Sequence, residues 1–195
     1  MIVADAVTTH VTLLQRLSSG DDPVAWQEFC DRYGLLLRNF ARHHQLQPAD
    51  CDEVVQDVLL ALTRSMPGFR YDPAKGRFRA YLKKVVIHAI YRKFSQKPGE
   101  GDLQLGDESV RTDAVGDEAW ECEWRQYHLR QAMSTVSAEF SEQDLQAFDQ
   151  YAIRGRDARE TAAALGLNAN QVYQAKSRIL KRLGEIIARQ VEEEG

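Results

Sequence analysis

Asp157-Ala158-Arg159-Glu160-Thr161-Ala162-Ala163-Ala164-Leu165-Gly166-Leu167-Asn168-Ala169-Asn170-Gln171-Val172 is the stretch whose reading decides this chain. Asp157-x-x-Glu160 is a capping box for a short helix bearing Thr161, Ala162, Ala163, Ala164 and Leu165. Gly166 then permits a left-handed turn that a residue with a Cβ resists. Asn168-x-x-Gln171 caps the next helix. A small residue at Ala162 lets two helices approach, Gly166 turns the chain, and branched Val172 packs the second helix onto the first. The spacing predicts a helix-turn-helix over 157–183. On the second helix Val172, Ala175, Ile179 and Leu183 share the inner face. Asn170, Gln174, Ser177 and Lys181 point the opposite way, flanked by Gln171, Tyr173 and Arg178. Amides pair with adenine edges and cations with guanine or phosphate. Asn168, Asn170, Gln171, Tyr173, Gln174, Ser177, Arg178 and Lys181 are therefore candidate DNA contacts. A helical hairpin inside a bundle, with a solvated polar face, is the bland alternative. The three-point spacing, two capping boxes and basic outer face together favour DNA.

The 195 residues are 44% hydrophobic and 28% charged, the composition of a soluble globular protein. No apolar run approaches a membrane span and no signal-peptide pattern opens the chain, so a cytoplasmic location is expected. Cys30, Cys51 and Cys122 are scattered and odd in number, and read as reduced side chains. Neither a metal site nor a cofactor is expected. The net charge of −4 hides strong local blocks. Residues 64–97 carry 10 basic and 1 acidic group, residues 98–124 carry 1 basic and 9 acidic, and residues 151–190 carry 8 basic and 3 acidic. Fields act within roughly 8–10 Å at ordinary salt, so the blocks matter more than the sum.

Working towards the N-terminus, Asp22-Pro23 reads as an N-cap opening a helix through about His43, with Trp26, Phe29, Tyr33, Leu36, Leu37 and Phe40 at helical spacing. Pro48 and Asp50 open a second, with Glu53 placed as in a capping box and Val54, Val55, Val58, Leu59, Leu62 and Met66 as its buried face. Pro67-Gly68 stops it. A loop from Phe69 to about Gly76 leads into a long amphipathic helix carrying Phe78, Tyr81, Leu82, Val85, Val86, Ala89 and Ile90 on one stripe. Periodicity disappears from Gln96 to about Gly116, where glycines and acids mark a flexible linker. Trp120, Trp124 and Tyr127 then start one helix, and Ser141 caps another running to about Ile153. The expected fold is all-α, in two small domains: residues 1–95, a flexible acidic linker over 96–117, and residues 118–195 with the helix-turn-helix.

The first basic block, Phe69 to Arg79, interleaves aromatics with cations, the pattern expected where unpaired bases stack on rings and phosphates follow cations. Phe69, Arg70, Tyr71, Lys75, Arg77 and Arg79, with Lys83, Lys84 and Arg92 on the helix behind, are candidate contacts to a single strand. Phe78 and Tyr81 fit the core at least as well as DNA.

At this point the sequence resembles a known family. Asp52-Glu53-Val54-Val55-Gln56-Asp57-Val58-Leu59, the loop Phe69–Phe78 and the helix from Arg79 look like the second conserved region of bacterial RNA polymerase sigma factors. The segment from about Phe148 to Leu183 is similar to their fourth region, and the layout resembles the small extracytoplasmic-function (ECF) group. The resemblance implies that Asp52, Glu53, Gln56 and Asp57 dock on core RNA polymerase. It implies that the segment from Phe69 to Arg92 reads and holds open the minus-ten promoter element, and that the helix-turn-helix reads the minus-thirty-five element. It also allows an anti-sigma protein as partner, a monomer when free, and a linker whose charge suits an RNA exit path. Tyr173-Gln174-Ala175 stands where many members carry Lys-Ser-Arg, so the family's upstream sequence does not transfer.

Two other classes fit less of the chain. A stand-alone regulator with a helical sensor or dimerisation domain explains residues 120–190 but leaves the basic aromatic loop and the acidic helix without a role. An enzyme would need a ligand-spaced motif, a nucleophile elbow or a phosphate loop, and none occurs.

Overall fold

The computed structural model describes residues 10–19, 22–67, 78–95 and 114–194, and every regular element among them is helical. Backbone contacts divide the chain into two compact units, Met1–Tyr127 with Glu193–Gly195, and His128–Glu192.

The first unit begins with α1 (His10–Ser18), a helix that the sequence reading does not anticipate. Leu13, Leu14 and Leu17 give α1 one buried side. Arg16 holds it to the next helix, reaching Asp22 at 2.8 Å and Glu28 at 2.7 Å. Asp22 then caps α2 (Pro23–His43), accepting from the Ala25 N–H at 2.9 Å, with Pro23 in the first turn where its missing donor costs nothing. The Arg16 guanidinium and this cap hold the Asp22 carboxyl below its ordinary value. Phe29, Tyr33, Leu36, Leu37 and Phe40 are buried as the period predicts, and Trp26 is only partly buried.

The helix α3 (Pro48–Ser65) corrects one expectation. Its N-cap is Gln47, in extended backbone with no side-chain bond, and Asp50 lies inside the first turn. The Asp50–Glu53 pair is therefore not a capping box; Pro48 sets the start instead. Cys51, Val54, Val58 and Leu62 face inward. They meet α4 (Phe78–Ser95), which buries Phe78, Leu82, Val86, Ala89 and Ile90. Phe78 is thus core, edge-on to Phe29 at 6.3 Å.

Residues 114–127 of α5 (Ala114–Glu139) complete this unit. Trp120, Trp124 and Tyr127 enter the same core, with Trp120 edge-on to Phe40 at 5.0 Å and Tyr127 stacked on Tyr33 at 5.0 Å. This departs from the expected partition, in which these rings open the second domain. A helical period shows that three aromatics share a face but not which core receives it. The last residues of the expected linker, 114–117, are helical; residues 96–113 lie outside the described residues.

The second unit has small cores. Ser141 caps α6 (Glu142–Phe148), accepting from the Asp144 N–H at 3.2 Å. A π-helical turn, Asp149–Ile153, follows, marked by the Arg154 N–H reaching back five residues to the Asp149 carbonyl at 2.9 Å. Then come α7 (Ala158–Leu165) and α8 (Ala169–Glu194). Ala147, Ala158, Ala162, Val172 and Ala175 form one cluster, and Ala132, Val136, Phe148, Ile179 and Leu183 the other.

Candidate nucleic-acid interface

The turn between α7 and α8 is built as its sequence predicts. Asp157 accepts from the Arg159 and Glu160 N–H groups at 2.8 and 3.3 Å. Gly166 adopts φ 66°, and its N–H returns to the Ala162 carbonyl. Asn168 and Gln171 cap α8 reciprocally: the Gln171 N–H donates to Asn168 Oδ1, and the Asn168 N–H donates to Gln171 Oε1, each at 2.9 Å. Val172, Ala175, Ile179 and Leu183 are buried, while Asn170, Gln171, Tyr173, Gln174, Ser177, Arg178 and Lys181 are exposed. The two caps occupy the side-chain oxygens of Asn168 and Gln171, so their capacity to accept from a base is partly spent. Arg178 is engaged as well, 2.8 Å from Asp144 of α6.

Two residues near this face escaped the sequence reading. Tyr151, in the π-helical turn, meets Tyr173 edge-on at 5.4 Å, and Lys176 places its Nζ 5.0 Å from the Tyr151 ring centroid. The helical period puts Tyr151 on the face of Ala147, four residues earlier, but a period does not show which residues of another helix it meets.

In the first unit the acidic residues of α3 fall outside its buried stripe. Asp52, Glu53 and Gln56 are exposed and Asp57 is half-buried. Asp52 lies 2.7 Å from Arg38, and Glu53 pairs with Lys93 of α4. Leu60, one turn beyond Gln56, is 54% exposed, an apolar side chain on this otherwise polar face.

The cations of α4 divide into two sets. Lys84 and Arg92 are exposed and form no ion pair among the described residues. Arg79 pairs with Glu121 and lies 5.3 Å over the Trp124 ring, and Lys83 pairs with Asp117. Phe69, Arg70, Tyr71, Lys75 and Arg77 lie outside the described residues. The acidic block read as a match for an RNA path thus supplies, in its described part, partners for α4. Glu123 of the same helix accepts from Asn39 at 3.0 Å and meets His43 at 3.2 Å, at an open cavity of about 370 Å³ lined also by Arg42. Exposed ion pairs contribute about 0–1 kcal/mol each, whereas burial of a large apolar side chain contributes about 1.5–3 kcal/mol. Trp120, Trp124 and Tyr127, not the charges, hold residues 114–127 in place.

Beneath these pairs lies a buried polar knot. Glu194 Oε1 accepts from the Tyr127 hydroxyl at 2.9 Å and meets Arg32 at 3.2 Å; Oε2 accepts from Tyr33 at 3.3 Å. Burial pushes the Glu194 carboxyl up to about 7, against the opposing pull of Arg32 and the two hydroxyls. Burial also pushes the Tyr33 and Tyr127 phenols well up, keeping them neutral donors. Among the described residues no group of three His, Cys, Asp or Glu side chains is arranged to hold a metal, and no helix is long and apolar enough to cross a membrane.

Residues 29–98 match the family model Sigma-70 region 2, so this part of the chain is similar to that domain. A solved structure described as "Structure of CnrH in complex with the cytosolic domain of CnrY" is similar to this chain at 20% identity and a TM-score of 0.37, covering 91% of this chain and 96% of that one. No curated protein matches the chain.

Proposed function

We propose that the chain is an ECF-type sigma subunit that reads two promoter elements with separate surfaces. The match of residues 29–98 to Sigma-70 region 2 carries this reading, since it spans the acidic face of α3 and the cations of α4 together. Asp52, Glu53, Gln56 and Asp57 dock on core RNA polymerase, and Leu60 adds an apolar contact among them. Lys84 and Arg92 of α4 hold the opened minus-ten strand, joined by Arg79 and Lys83 when Glu121 and Asp117 release them. Phe69, Arg70, Tyr71, Lys75 and Arg77 act with them through the preceding loop. The α7–α8 pair is the region 4 helix-turn-helix, and it reads the minus-thirty-five duplex through Asn170, Tyr173, Gln174, Ser177 and Lys181. The reciprocal Asn168–Gln171 cap supports this assignment, because it fixes the end of α8 that enters a major groove. The first unit, completed by residues 114–127, serves as the downstream-reading domain and residues 128–192 as the upstream-reading one, with the cytoplasm as the place of action.

Alanine at both Gln174 and Lys181 tests the assignment of the upstream surface. Retention on immobilised core polymerase should be unchanged, while binding to the upstream element should fall about 10–100-fold. Equal loss of both activities contradicts the surface assignment.

A further inference from the structure

Tyr151 lies off the recognition helix, yet its ring touches two of that helix's residues. Tyr151 lies one turn after Ala147, and both pack into the cluster that holds Val172 and Ala175 of α8. The π-helical turn closes the helix after it, with the Arg154 N–H on the Asp149 carbonyl at 2.9 Å, and Gly155, at φ 69°, turns the chain away. Tyr151 is left half-buried against α8, 5.4 Å from Tyr173 with the rings at 73°, and beneath the Lys176 ammonium at 5.0 Å. Tyr173 and Lys176 are three residues apart, neighbours on one helical face, so a single ring engages both.

We propose that Tyr151 is a positioning residue for upstream-element readout, acting through Tyr173 and Lys176. This rests on the helix-turn-helix reading above. Tyr173 is 50% exposed, near the start of α8. A ring held there edge-on presents an apolar rim suited to a thymine methyl in the major groove. An ammonium held beside it, over an aromatic face, is placed for a flanking phosphate. Without Tyr151, each side chain samples several rotamers, and the pairing of ring and cation is lost. Through these two contacts a residue outside the recognition helix influences which base that helix prefers.

The test uses the full-length chain assembled with core RNA polymerase and a pool of duplex promoters randomised across the upstream element, with bound sequences counted. Tyr151→Leu should lose preference at one or two adjacent base pairs and bind the wild-type consensus about 3–10-fold more weakly, with the other positions unchanged. Tyr151→Phe keeps the ring and should retain the wild-type profile. Lys176→Gln, which leaves the aromatic contact intact, should lower the slope of affinity against salt by about one counterion without altering base preference. If Tyr151→Leu weakens every position equally and lowers Tm, the residue is only structural and the proposal fails. An unchanged profile in Tyr151→Leu, or an unchanged salt slope in Lys176→Gln, also overturns it. A wild-type complex with no preference anywhere in the randomised window would overturn the helix-turn-helix assignment too, a result distinct from the others.

Discussion

The outer sides of α4 and α8 are both polar and cationic, and both are assigned to promoter DNA, but their charges are in different circumstances. On α8, Gln174, Ser177 and Lys181 stand exposed, and the acid that reaches this face, Asp144, engages Arg178 alone among the candidate contacts. On α4, Arg79 and Lys83 are engaged by Glu121 and Asp117 of a helix whose aromatic residues are locked into the same core. A list of cations read from sequence states what a surface offers; the acids packed beside it decide how much is on offer at once. The face proposed for the upstream element stands exposed in the folded chain, whereas the one proposed for the downstream element shows Lys84 and Arg92 and holds Arg79 and Lys83 in ion pairs.

Removing the cover on α4 should have the largest effect. Trp120 is 1% exposed, and Trp120→Ala should cost about 3–5 kcal/mol in urea unfolding of the full chain. A loss below about 1 kcal/mol would mean that residues 114–127 do not belong to the first unit, and the contrast between the two faces would collapse.

The knot beneath that cover adds a pH dependence. Glu194 is raised from 4.5 to about 7 by burial, so folding favours its protonated form. Its contribution is fully present below pH 4.5 and is lost as pH rises through about 7. Glu194→Gln should therefore flatten the stability curve across that window, removing a change on the order of 3 kcal/mol. Identical pH curves for the two proteins would place Glu194 in water.

On the α8 side, Gly166→Ala meets no atom within 4 Å, so its cost is the left-handed backbone alone. About 1–2 kcal/mol is expected in thermal or urea unfolding, with upstream binding weakened in proportion. The smallest change in stability belongs to Asp117→Asn combined with Glu121→Gln. Loss of two half-exposed ion pairs should cost no more than about 1 kcal/mol each. The same double variant should bind a single-stranded minus-ten oligonucleotide about 3–10-fold more tightly at low salt, because two cations are released. Unchanged affinity in fluorescence anisotropy would mean that Arg79 and Lys83 are not part of the DNA surface.

The second unit was the more legible in sequence. Its information is local: Asp157, Gly166, Asn168 and Gln171 act on backbone groups within a few residues, and each does what its type and spacing predict. The long helices of the first unit were legible for the same reason, through their period. Three features were not. The α1 helix is short and its apolar residues sit within one turn and a half, too little for a period to show. Glu53 after Asp50 imitates a cap, but the proline at 48 had already set the helix start. The destination of Trp120, Trp124 and Tyr127 is a long-range choice between cores, and it carries the pairing of Asp117 and Glu121 with it. In the second unit the meeting of Tyr151 with Tyr173 and Lys176 is likewise a long-range contact that no local period shows.

Transcription by core RNA polymerase on a set of candidate promoters, with and without the protein, tests most directly whether this chain directs the polymerase to promoters through two surfaces. The account predicts that the protein binds core and that specific start sites appear only when it is added. It also predicts that those start sites are lost when Lys84 and Arg92 are both replaced by alanine, although core binding persists. A protein that does not bind core, or that leaves start-site choice unchanged, would contradict it.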